Sequence, residues 1–212
     1  MSSHRIWAQI KTKEKCAECP FRHLKEEPLI IKPLEYNKVH VMTITEGPNR
    51  RGDIKVLTSI ANHPTFTFLF ALFGGEFKPK GSAGTVYWTH VRKCFINGKK
   101  KEGKQALKVC SKAYLEDEIG SMQPKLVVGV GNEALHFLAE YDGRLQGKLT
   151  DVFLKQTEDV FRKVKMGDLD FDVAVVPHPS GSNRFWNEPS SETLKILSII
   201  RKRIGEAIHC CH

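Results

Sequence analysis

Apolar residues along the chain follow two rhythms. Residues 38–44, 84–90, 125–130 and 171–176 are short, rich in β-branched and aromatic side chains, and bounded by turn residues, so they are expected to be strands. Longer stretches carry apolar residues three and four apart. In residues 106–119 these are Leu107, Cys110, Tyr114 and Leu115, with Glu118 in the same series. In residues 191–207 the apolar face is Leu194, Leu197, Ile200 and Ile204, continued by Ile208. Residues 64–73 and 132–141 are further helix candidates, and residues 141–169 show no regular pattern.

Strands alternating with helices imply a parallel sheet covered on both faces. The expected fold is therefore α/β: a single-domain, three-layer αβα sandwich around a central four-stranded, mostly parallel sheet. One domain should span residues 1–212, with the cysteine-containing segment 1–37 packed on it. Ligands of such sheets bind beyond the carboxyl ends of the strands. Three polar clusters stand at such ends: residues 45–53, 90–94 and 178–187.

Charge narrows the partner. The 212 residues hold 33 Lys and Arg against 24 Asp and Glu, a net charge of +9. An excess of this size suits a polyanion, most often nucleic acid. The basic residues cluster at 11–15, 50–51, 92–108 and 201–203, and residues 98–104 read as an exposed basic loop. The longest apolar run, residues 66–73, falls far short of the roughly 20 residues of a membrane span. With no apolar signal-type core in residues 1–10, a cytoplasmic monomer is expected, with no membrane partner.

Six cysteines add chemistry. In a chain expected in the cytoplasm they are poor disulfide candidates. Cys16 and Cys19 form a C-x2-C pair, and Cys94 and Cys110 begin and end the basic segment. Four thiolates suit either one zinc ion or an iron–sulfur cluster; the alternative is four separate buried thiols. Cys210 and Cys211 sit in the terminal tail. Residues 129–134, Gly129 to Ala134, fit a G-x-G-x-x-A dinucleotide pattern, but no ribose-binding acid follows at the right distance. Glycines that allow a tight strand-to-helix turn explain the segment better.

The cysteine spacing, Lys93-Cys94 closing on Cys110 ahead of a helix, resembles the iron–sulfur members of the uracil-DNA glycosylase superfamily, often numbered families four and five. Residues 124–135 resemble the family as well. Its first active-site motif stands here as Thr45-Glu46-Gly47-Pro48-Asn49, with Asp53 at the acidic end, and its last begins His178-Pro179-Ser180 after a strand. The resemblance implies a DNA glycosylase that flips out a base, hydrolyses its N-glycosidic bond and leaves an abasic site. It implies a 4Fe–4S cluster on Cys16, Cys19, Cys94 and Cys110, with zinc as the alternative. His178 would hydrogen-bond the departing base. Asn49 would hold the attacking water, and Asp53 or Glu46 would polarise it. Arg50, Arg51, Lys99, Lys100, Lys101, Ser180, Asn183 and Arg184 would contact DNA. Phe185 or Trp186 would either wedge between base steps or cover the core.

Three positions depart from the family. His90 stands where the uracil readers carry Asn, and its ring cannot supply a bidentate amide pattern. Arg50 stands where an acid is usual. No stacking aromatic follows in residues 55–61, leaving Phe66 or Phe68 to substitute. These changes point to a non-standard pyrimidine as substrate. The alternatives are a hypermodified, for example glucosylated hydroxymethyl, cytosine removed from phage DNA as antiviral defence; ordinary uracil excision in base-excision repair; or a non-catalytic DNA-binding module.

Overall fold

In β-strands successive side chains point to opposite faces, so a strand buried on both faces is apolar along most of its length. A computed structural model describes residues 3–23, 28, 39–48, 72, 86–95, 100–157, 161–179 and 184–209. In it β1 (Val41–Thr45), β2 (Val86–His90) and β3 (Leu126–Val130) are buried at every position. With β4 (Val164–Met166) and β5 (Leu169–Val176) they make one five-stranded sheet of order β2-β1-β3-β5-β4. Strands β1, β2, β3 and β5 are parallel, and β4 runs antiparallel to β5.

The expected α/β sandwich is thus observed, with one strand more than expected. The extra strand is the three-residue β4, too short to show any period of its own. It pairs only with residues 169–171 of β5. Further along, the free edge of β5 is closed by a side chain. The Gln156 amide accepts from the Val175 N–H (2.8 Å) and donates to the Val175 carbonyl (2.6 Å), as a neighbouring strand would.

Each face of the sheet has its own core. On one, Met42, Ile44, Tyr87, Val127, Val173 and Val175 pack with Ile6, Trp7 and Ile10 of α1 (Ser3–Thr12) and with α4 (Asn132–Ala139). A rod over residues 100–122 completes this layer. It comprises α2 (Lys100–Cys110), a π-helical turn (Ser111–Leu115) and α3 (Glu116–Met122). On the other face, Val41, Val86, Trp88, Val128 and Val176 pack with Phe153 of α5 (Leu149–Leu154) and with α7 (Ser191–His209). A short α6 (Arg184–Asn187) precedes α7.

Two expectations about helices need correction. The basic stretch read as a loop over 98–104 is helical from Lys100 onward. Straight-chain lysines are good helix formers, and Ala106, Leu107 and Cys110 give the helix a buried face. In α7, Leu194 is 54% exposed; Ile196 is buried instead and repeats every four residues with Ile200, Ile204 and Ile208. The helix candidate 64–73 lies outside the described residues apart from Leu72. Among the described residues, no helix is long and apolar enough to cross a membrane.

Candidate active site and cysteine centre

Because β1, β2, β3 and β5 are parallel, their carboxyl ends share one edge of the sheet. Glu46 follows β1, His90 ends β2, Gly131 follows β3 and His178 lies two residues beyond β5. The sheet order places the ends of β1 and β5 two strand spacings apart, about 10 Å, and those of β2 and β5 about 14 Å apart. Glu46 and His90 therefore stand on one side of β3 along this edge, and His178 on the other.

The root of His178 is firmly set. Beyond the Gln156 clamp on Val175, the Gly131 N–H donates to the Val176 carbonyl (2.9 Å), and the Trp186 indole N–H donates to the Pro177 carbonyl (3.2 Å). Trp186 also packs on the core of the α7 face, which favours the covering role over the wedge for this residue. Gly131 has φ +88°, a conformation costly for any residue with a Cβ, and a Cβ there would come within 3.4 Å of the His178 Cβ. The G-x-G segment therefore makes the tight turn that lets His178 lie against the start of α4.

His90 is buried, 3% exposed, and its ring centroid lies 4.9 Å from that of Trp88. Burial, then the nearby Lys93 and Arg92 cations, push its pKa down to about 3. The ring is thus neutral across the physiological range. Among the described residues its Nδ1 has no hydrogen-bond partner.

Below His90 lies a buried polar network. The Lys93 ammonium donates to Thr89 Oγ1 (2.7 Å) and to the His90 carbonyl (2.6 Å), and forms an ion pair with Glu118. Glu118 also accepts from the Tyr87 hydroxyl (2.7 Å) and from Thr89 Oγ1, and the Trp7 indole reaches Tyr87 at 3.3 Å. Lys93 and Glu118 are 2% and 1% exposed, so the charges are viable only because each is paired and hydrogen-bonded. The π-helical turn just before Glu118 adds a residue to the rod, leaving Tyr114, Leu115 and Glu118 all facing inward.

The four expected metal ligands come together. Cys16, Cys19, Cys94 and Cys110 line one cavity, with Arg92, Lys93 and Tyr114 in its wall. Successive turns in the N-terminal segment present the first pair: the Cys16 N–H donates to the Lys13 carbonyl and the Cys19 N–H to the Cys16 carbonyl, both at 3.0 Å. The Tyr114 hydroxyl anchors that segment, accepting from the Lys15 N–H at 2.8 Å and lying 3.5 Å from Cys16 Sγ. The Lys93 N–H points at Cys110 Sγ (3.4 Å). Burial pushes the Cys94 thiol up to about 11 and the Cys110 thiol up to about 12, and raises Cys19 too. As bare thiols they stay protonated; a bound metal would reverse this and deprotonate them. Lys13, Arg92 and Lys93 are close enough to favour the thiolates, which suits an anionic sulfur-rich group. Among the described residues, no three His, Cys, Asp or Glu side chains are disposed to hold a single metal ion.

Arg92 links this cavity to the carboxyl edge of the sheet, a role the sequence did not suggest. Its N–H donates to the Glu46 carbonyl (2.9 Å), and its guanidinium donates to the Cys94 carbonyl. A Cβ on Gly47 would come within 2.9 Å of Arg92 Nη2 and 3.2 Å of the Arg92 carbonyl. Only a glycine lets the turn after β1 sit this close to Arg92. Nothing in the run of basic residues from 92 to 108 distinguishes Arg92 or Lys93 from the exposed lysines that follow.

Of the other expected site residues, Asn49, Asp53, Phe66, Arg50, Arg51, Ser180, Asn183 and Lys99 lie outside the described residues. Lys100, Lys101 and Arg184 are placed in the first turns of α2 and α6, and Glu46 is exposed. A family model described as the uracil DNA glycosylase superfamily matches residues 35–199. A search of curated proteins finds no match.

Proposed function

The chain belongs to the uracil-DNA glycosylase superfamily, whose members are DNA glycosylases, and on that footing we propose that it hydrolyses the N-glycosidic bond of a non-standard pyrimidine extruded from DNA. The observation that supports it is the shared carboxyl edge of the parallel strands, where Glu46, His90 and His178 all stand at strand ends. In the reaction the bond between sugar and base breaks with its electron pair leaving on the base. Water adds to the sugar carbon and gives up a proton, leaving an abasic site. His178 hydrogen-bonds the departing base, an interaction that strengthens as negative charge builds there; losing such a donor costs about 3 kcal/mol. Asn49 holds the water, and Asp53 or Glu46 polarises it.

His90 supports the narrower choice of base. A neutral ring offers one donor and one acceptor, so it does not reproduce the paired amide contacts that read uracil. A bulky modified pyrimidine, such as the hypermodified cytosine of phage genomes, falls within this class, and its excision would serve antiviral defence. The four cysteines would hold a 4Fe–4S cluster. Support comes from their common cavity, the Lys93 N–H directed at Cys110 Sγ and the surrounding cations. Such a cluster would supply a cross-link between the N-terminal segment, the end of β2 and α2.

The test is incubation with duplexes bearing uracil, hypoxanthine, mismatches or hypermodified cytosines, with mass spectrometry of released bases. Release of a modified pyrimidine in preference to uracil is expected. Preferential release of uracil would overturn the substrate reading, and retention of every base on bound DNA would reduce the protein to a binding module.

A further inference from the structure

The register of the 100–122 rod is fixed where Glu118 meets Tyr87, Thr89 and Lys93, and where Cys110 meets the Lys93 N–H. Counting back from Cys110 to Lys100 carries α2 about 15 Å further, past the carboxyl end of β2. Lys104 and Lys108 stand four residues apart on this overhang, Lys112 follows in the π-helical turn, and all three are exposed. Lys108 and Lys112 border an open groove whose opposite wall is the C-x2-C segment at Lys15 and Glu18.

Two features identify the occupant. Lysines four apart on a helix repel one another. Neither Lys104 nor Lys108 has an acid three or four residues away to offset this. The nearby acids are largely engaged: Asp117 pairs with Lys15, and Glu116 accepts from the Tyr141 hydroxyl at 2.6 Å, leaving Glu18 in the groove. The floor is made of small side chains, Ala17, Val109 and Ala113. It lacks the aromatic anchors that carry protein–protein affinity. A row of cations about 6 Å apart on a stiff rod instead suits a regular polyanion.

We propose that this groove and the adjoining face of α2 bind the phosphodiester backbone of duplex DNA away from the extruded nucleotide, with Lys104, Lys108 and Lys112 each on a phosphate. The inference extends the glycosylase reading to a surface outside the candidate active site and rests on that reading for the identity of the polyanion. Such contacts position the duplex without reading its sequence.

The test uses the full chain and a long undamaged duplex, so no base excision is needed. Binding is followed by fluorescence anisotropy as salt rises. Each phosphate contact adds about 0.9 to the slope of log affinity against log salt. The triple variant K104Q/K108Q/K112Q should therefore lose about 40-fold less affinity than wild type between about 50 and about 200 mM salt, because three fewer phosphates are neutralised and fewer counterions are released. The Arg triple K104R/K108R/K112R should keep the wild-type slope, and K165Q, on β4 at the far edge of the sheet, should not change it. Circular dichroism of each variant checks the fold. An unchanged slope in a folded Gln triple would overturn the proposal, and so would a slope equally reduced by K165Q. A reduced slope in a protein that releases no base would sustain the groove and refute the glycosylase reading.

Discussion

At the scale of single residues, the site depends on small side chains and on one suppressed charge. Replacing Gly131 with Ala strains a backbone at φ +88° and sets a methyl in van der Waals contact with His178. We expect a stability loss of about 1–3 kcal/mol. The loss of base release measured under folding conditions should be larger than the folded fraction explains, because the strained turn is the one bonded to Val176 beside His178. His90 should make the protein acid-sensitive. The unfolded chain takes up a proton on this ring as the pH falls through about 6.5. The folded chain holds it neutral down to about 3. The unfolded state then binds more protons, so stability is full above the unfolded pKa and is lost below it, by at most about 1.4 kcal/mol per pH unit. Urea unfolding of His90→Asn against wild type at neutral and mildly acidic pH should show this difference shrinking as the pH falls. A constant difference would mean that the folded ring titrates normally.

At the scale of elements, the interest lies in what joins the end of β2 to the rod over residues 100–122. Lys93→Met leaves the Glu118 carboxylate buried beside Tyr87 and Thr89 without its cation, which should cost about 3–5 kcal/mol. Replacing both partners with Met should cost less than the single change, measured by thermal unfolding. If the cysteines hold the proposed cluster, removing the anchors of the N-terminal segment, Cys16→Ser with Cys19→Ser, should abolish bound iron. It should also speed tryptic cleavage near Lys13 and Lys15 while the sheet stays folded. Unchanged iron content would show that these two residues are not ligands. The strands of the sheet were legible because an apolar run between turn residues has few other uses. The lysine-rich start of α2 was not, since its charge hid a helix whose buried face, among the described side chains, is Ala106, Leu107 and Cys110. The strand β4 was not legible either, at three residues and with one buried position.

For the whole molecule, the parallel sheet gathers residues remote in sequence at one edge, and the cysteines draw residues 16–19 to residues 94 and 110 beside it. Spacing in the sequence already set Glu46, His90 and His178 at strand ends and drew together the four cysteines, and the fold places them so. It could not point to Arg92, Lys93 or Gln156, whose roles arise only when the carbonyls of Glu46, His90 and Val175 come within reach. The account rests on base release at the edge bearing His178. Its most direct test is single-turnover incubation of wild type and His178→Ala with a duplex containing the preferred modified pyrimidine, followed by strand mass and alkali cleavage. Wild type should yield a strand lighter by the base and cleaved by alkali at that one position, with the variant slowed by about a hundredfold or more. Equal rates for the two proteins, or an intact strand with wild type bound to it, would contradict the account.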